Sequence, residues 1–291
     1  MPKSLPVGFA DFAASRGAPG TTLVDKSSFV GRVLRSTGAA LVICRPRRFG
    51  KTMNITMLRD FLRMAMPGRP AVPDALFADM AVQADPLAMS ERAQHPVVYL
   101  SLMGVKAMNW RDSRAAIGRQ VRAAWLQAGG VVDGLPPILA TEMAAVIDRA
   151  ADEATLASAL GVMVTALHTQ TGRRVWLLID EYDAPIQTAW QYGYYPEAVA
   201  FFQTFFGDAA KDNSSVARTV MTGVMRVAKE GILSDLNNLQ VDTVLGSNFA
   251  TDFGFIEAEL DDLAADDRAL RDGMRQWYNG YTIGGHAIYN P

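Results

Sequence analysis

Five apolar residues, Ala40-Leu-Val-Ile-Cys44, run directly into Arg45-Pro-Arg-Arg-Phe-Gly-Lys-Thr52, and Met53, Met57, Leu58, Phe61 and Leu62 then recur at helical spacing. A short unbroken apolar run reads as a strand buried on both faces, as in a parallel sheet. The Gly-Lys-Thr at its exit therefore sits where a strand turns into a helix. That junction concentrates free backbone N–H groups and the positive end of the helix dipole. A lysine there reaches the outer phosphates of a nucleoside triphosphate, and the hydroxyl after it ligates Mg²⁺. The reading assigns Arg48, Phe49, Gly50, Lys51 and Thr52 to phosphate binding and Thr52 to the metal. The general motif has glycine where this chain has Arg45, and Pro46 lacks an N–H. Arg47 and Arg48 read either as phosphate contacts or as a solvated basic turn.

A second landmark supports the first. Val175-Trp-Leu-Leu-Ile179 is an apolar run that ends at Asp180-Glu181. An acid at the carboxyl end of a buried strand beside the loop strand holds Mg²⁺, and an adjacent acid can activate water. Asp180 is thus expected in the ATP–Mg²⁺ site and Glu181 as general base. Asp183 reads as a support for this pair or as a helix cap, with the cap preferred. Arg218-Thr-Val-Met-Thr222 gives a further strand, followed by Gly223 and Arg226. Arg226 reads either as a γ-phosphate sensor or as a surface arginine after a turn. Asn237 and Asn238 read as a polar cluster that faces the site or turns the chain.

Pro96 to Leu102 forms another apolar run, and Arg111 to Leu167 is largely helical around a turn at Gly129–Pro137. Strands alternating with helices imply βαβ units. The expected fold class is α/β: a P-loop NTPase with a mainly parallel sheet flanked by helices. Leu5 to Thr22 reads as irregular, and Val24 to Ser36 as a helix with Asp25 or Ser27 as cap. A P-loop domain over 1–248 is expected, followed at 249–291 by a partial lid or linker, helical and irregular in texture.

Composition excludes several alternatives. With 28 basic and 30 acidic side chains, any nucleic-acid contact has to be local. The single cysteine, Cys44, permits no intrachain disulfide, and His95, His168 and His286 give no zinc spacing. No leader and no membrane span is read, so a cytoplasmic protein is expected.

Taken together, the blocks Leu5-Pro-Val-Gly8, Val24-Asp-Lys26, Arg45 to Thr52, Leu178-Ile-Asp-Glu-Tyr-Asp183, Thr222-Gly-Val-Met-Arg226, Ser234 to Asn238, Trp277-Tyr-Asn-Gly-Tyr281 and Tyr289-Asn-Pro291 resemble the AAA-ATPase-like family of prokaryotic P-loop proteins. The resemblance implies that Arg45 is normal in this loop and that Arg226 acts as a sensor. It also implies kinship with signalling ATPases, and that members of the family often carry a restriction-endonuclease-like domain after this region. The last block stops at Pro291, where family members continue, so a fragment, or a chain without that partner domain, is expected. Two functions remain: a slow regulatory ATPase, or a nucleotide-dependent switch or interaction module without turnover. A tie to nucleic-acid handling is a third, weaker reading.

Overall fold

Among the described residues, five strands make the central sheet: β1 (Ala40–Cys44), β2 (Val97–Ser101), β3 (Val175–Asp180), β4 (Val216–Gly223) and β5 (Leu239–Asp242). Their order is β2-β3-β4-β1-β5, and every pairing is parallel. A parallel pair needs a crossover, and helices supply the first three. Helix Lys51–Leu62 leads from β1 towards β2, and Trp110–Ala128, Pro137–Ile147 and Glu153–Thr171 join β2 to β3. Ala184–Tyr192 and Tyr195–Ala210 join β3 to β4. The computed structural model describes residues 9–20, 22–227, 232–233, 238–264, 267–277 and 280–291.

Strand side chains alternate between two cores, which is why the runs are apolar throughout. Val42, Leu177, Ile179 and Met221 face helices Trp110–Ala128, Glu153–Thr171 and Tyr195–Ala210. Leu41, Ile43, Leu178 and Val220 face helices Ser28–Arg35 and Lys51–Leu62. Phe201, Phe202, Phe205 and Phe206 fill one buried side of Tyr195–Ala210, stacked and edge-on at 5.3–5.8 Å. The α/β architecture and parallel sheet match the expectation, and β4 lies between the loop strand and the acid strand.

Three local features differ from it. The opening segment is not wholly irregular: Phe12–Arg16 is a short helix whose Asp11 cap accepts from Ala14 N. Phe12 is buried and stacked on Phe77 at 5.2 Å, and its N–H donates to Thr56 Oγ1 of the loop helix at 3.0 Å. The edge strand β5 has no sequence signal, since its first three residues are only half-buried and the fourth, the buried Asp242, is polar. Finally, β6 (Tyr281–Ile283) and β7 (His286–Ile288) form an antiparallel hairpin inside the Gly- and Tyr-rich stretch. Leu5–Gly8, Ser234–Asn237, Tyr278 and Asn279 lie outside the described residues. Asn238 turns the chain into β5: its φ is 52° and its Nδ2 donates to Thr37 O at 3.2 Å. That end of the sheet is opposite the one carrying Asp180. Among the described residues, no helix is long and apolar enough to cross a membrane.

Candidate functional site

At the exit of β1 the chain makes a tight loop and enters helix Lys51–Leu62 through Gly50, which has φ 75°. A Cβ at Gly50 would meet nothing within 4 Å, so its left-handed backbone, rather than crowding, is what calls for glycine here. The cap has no side-chain hydrogen bond, so the first-turn amides have no capping partner and point out of the helix end. Arg48 also has positive φ, 69°, and both Arg47 and Arg48 are exposed. Phe49 is fully buried, edge-on to Tyr281 at 5.1 Å, so at this position the backbone alone is available to a ligand.

Lys51 is buried, and its Nζ donates to Arg45 O at 3.1 Å and Pro46 O at 2.9 Å. Burial lowers its pKa, while the charges of Asp180, Glu181 and Asp183 act to raise it. The lysine is thus held over the loop among acids.

The end of β3 meets the loop helix directly. Thr52 Oγ1 donates to Asp180 Oδ2 at 2.6 Å, and Thr222 Oγ1, at the end of β4, donates to Asp180 Oδ1. Tyr99 of β2 reaches the same carboxylate at 3.5 Å. Asp180 is 1% exposed. Glu181 follows in left-handed backbone with φ 53°, half-buried. Burial, then the neighbouring Asp180 charge, raise its carboxyl above the ordinary glutamate value.

Asp183 is at the N-cap position of helix Ala184–Tyr192 but makes no capping bond. This corrects the preference for a cap. Its Oδ2 instead accepts from Val224 N at 3.1 Å, Met225 N at 3.0 Å and Gln187 Nε2 at 2.6 Å. Tyr182 completes the grip: its hydroxyl donates to Met225 O at 2.8 Å and accepts from Val227 N at 3.2 Å. Tyr182 and Asp183 therefore hold the segment that carries Arg226. The sequence offered only the Glu-Tyr-Asp triplet as a signal for this clamp. Arg226 itself is exposed. Burial pushes the Cys44 thiol up to about 11.

Gly223 makes the clamp possible, since a Cβ there would lie 2.7 Å from both Asp183 Oδ1 and the Tyr182 ring. Its carbonyl also accepts from Arg45 N at 3.0 Å, joining β4 to the loop. Gly223→Ala is expected to cost about 1–3 kcal/mol through overpacking, read as a lowered midpoint in thermal unfolding. An unchanged midpoint would show that the clamp yields freely.

Arg45 is fully buried, and its guanidinium points away from the loop mouth. It bonds the Asp242 carboxylate at 2.5 Å and the carbonyls of Cys44, Thr243 and Phe249 at 2.9, 3.0 and 3.0 Å. Asn54 Nδ2 donates to Asp252 O at 2.8 Å, and Gly254 N donates to Phe49 O at 3.2 Å. Residues 242–254 are thus bonded to the loop and to its helix.

Among the described residues, no group of three or more His, Cys, Asp or Glu side chains is placed to hold a metal ion. Thr52 and Asp180 do supply hard oxygen donors, the kind Mg²⁺ takes from a protein when phosphates and water complete its shell.

The family model described as Predicted AAA-ATPase matches residues 6–233. The chain is also 27% identical over 292 residues to a protein of Azotobacter chroococcum mcd 1, "Uncharacterized protein in vnfD 5'region". That alignment covers 99% of this chain and 50% of the relative, so the chain spans about half the length of the curated relative it matches. A model matched over most of the chain, on a parallel sheet of the expected type, identifies the lineage. The chain belongs to the predicted AAA-ATPase, or AAA-ATPase-like, family.

Proposed function

We propose that this chain binds ATP with Mg²⁺ and hydrolyses it slowly, as a regulatory or signalling ATPase in the cytoplasm. The observation that carries the reading is the buried Asp180 carboxylate, bonded at once to Thr52 of the loop helix and Thr222 of β4. An ordinary strand end leaves its acid in solvent; this one is focused on the hydroxyl that the metal requires.

In this reading the amides from Arg48 to Thr52 and the Lys51 ammonium receive the phosphates. Lys51 exchanges its two carbonyl acceptors for phosphate oxygens, which are stronger, charged partners. Thr52 and Asp180 would hold Mg²⁺, whose charge offsets that of the β- and γ-phosphates. Glu181 takes a proton from the attacking water onto its carboxylate, as the water oxygen bonds to the γ-phosphorus and the bond to the β–γ bridging oxygen breaks. The products are ADP and phosphate. Arg226, held through the Tyr182–Asp183 clamp, registers whether the γ-phosphate is present.

Lys51→Ala is expected to weaken ATP binding about 10- to 100-fold, the worth of roughly 1.5–3 kcal/mol in bonds to a charged group. Titration calorimetry with Mg²⁺-ATP measures this, and an unchanged affinity would refute the assignment of the loop. A switch without turnover is the second reading. It is favoured by the anchoring of Arg45 and Phe49 in residues 242–289, which gives the loop a direct hold on the following segment. Saturable ATP binding with phosphate release at background would select it.

A further inference from the structure

Away from the phosphate loop, helix Trp110–Ala128 and the turn before helix Glu153–Thr171 enclose an open cleft of about 490 Å³. Arg111, Arg114, Arg119, Arg122 and Arg149 line it, against Asp152 and Glu153. The four helical arginines fall at i, i+3, i+8 and i+11, which keeps them along one side of the helix. In a chain with net charge −2, five guanidinium groups in one cleft form a local positive field.

The two acids are already engaged. Glu153 accepts from Arg114 at 2.7 Å and from Trp110 Nε1 at 3.1 Å. Asp152 caps its helix by accepting from Thr155 N at 2.8 Å. Among the described residues, Arg111, Arg119 and Arg149 have no ion-pair partner within 4 Å, and all three are exposed. Arg149 is held in the cleft wall with φ 63°, a left-handed backbone that residues other than glycine seldom adopt. Burial, then the charges of Arg149 and Arg119, push the Arg122 pKa down, so the arginines repel one another. An anion seated between them would relieve that repulsion.

We propose that this cleft binds the phosphate backbone of nucleic acid. Arginine is the side chain suited to it, because its planar fork meets phosphate oxygens in pairs. From Arg111 to Arg122 the helix rises about 16 Å, long enough for the arginines to reach several phosphates of a duplex. No aromatic side chain lines the cleft. It therefore lacks a stacking platform for unpaired bases, and contacts confined to phosphates carry no sequence information. Duplex DNA bound without sequence preference is the expected ligand, with free polyphosphate the other source of the same chemistry.

Fluorescence anisotropy of the full chain with a labelled 20-base-pair duplex, at 50 to 200 mM salt, tests the proposal. Wild type is expected to bind, and to lose affinity steeply as salt rises. The triple variant Arg111→Gln, Arg119→Gln, Arg149→Gln should bind at least about tenfold more weakly. Its log–log salt slope should be shallower by roughly 2–3, near 0.9 for each lost phosphate contact. The corresponding triple Lys variant should keep most of the slope, because charge is conserved. Arg16→Gln with Arg173→Gln, which removes exposed charge elsewhere, should bind as wild type does. A duplex that fails to bind wild type at 50 mM salt would overturn the proposal, as would a triple Gln variant with unchanged affinity and slope. Tripolyphosphate binding that depends on the three arginines, without any duplex binding, would also overturn it and make the cleft a small-anion site.

Discussion

Glu181→Gln is expected to leave ATP binding near the wild-type level and to lower phosphate release by about 10²–10⁴-fold, the usual contribution of a general base. The substitution keeps the shape of the side chain and the Asp180–Thr52 contact, and removes the proton acceptor alone. Its pH dependence gives a second test. Burial and Asp180 raise the Glu181 carboxyl above the ordinary glutamate value. The base must be ionised to act, so the rate should fall as pH drops through that raised value, earlier than for an exposed glutamate. The residual activity of Glu181→Gln should lose this acid limb. Stability follows the opposite sign. A raised pKa means the folded state holds the proton more tightly than the unfolded chain, so this group's contribution is present at acid pH and is lost as pH rises. Glu181→Gln should therefore unfold at an equal or higher temperature than wild type at neutral pH, with any gain shrinking toward acid. Wild-type turnover in the variant would show that another group takes the proton.

What the sequence made legible, and what it hid, divides along physical lines. Buried parallel strands are apolar on both faces, so β1 and β3 stand out as unbroken runs, and each ends at a polar block. Thr52 and Asp180 are 128 positions apart in the chain, yet both follow a recognisable strand, so their meeting at 2.6 Å needed nothing beyond the order of the sheet. β5 was hidden because a four-residue edge strand carries no apolar run. The jobs of Asp183 and Tyr182 were hidden for another reason. A carboxylate beside a helix start looks like a cap in one dimension, and only the packing of β4 against β3 brings the Val224 and Met225 amides to Asp183 and the Val227 amide to the Tyr182 hydroxyl. The arginine cleft was hidden because its charges are several residues apart within a chain of balanced composition.

Arg45→Ala should be the most destabilising of the substitutions considered, at about 3–5 kcal/mol, because it leaves the buried Asp242 carboxylate without its partner. On a chain of this size each kcal/mol moves the unfolding midpoint by roughly 2–4 °C. The residue stands where a phosphate loop ordinarily has glycine, and its side chain is turned from the loop mouth. Its guanidinium joins the end of β1 to the end of β5, to Thr243 and to Phe249, and lies over the Phe253 ring at 5.4 Å. The arginine thereby fixes the loop entry from behind. Arg45→Lys keeps the charge but not the planar fork, so it should recover only part of the loss. Arg45→Met combined with Asp242→Leu separates the two terms. Removing both charges avoids the unpaired carboxylate, so the double variant should be closer to wild type in stability than Arg45→Ala is. If the ion pair also sets the loop for phosphate, the restored double variant should still bind ATP more weakly than wild type. Full ATP affinity in that variant would confine Arg45 to holding the fold, whereas an unaltered unfolding midpoint in Arg45→Ala would remove both roles.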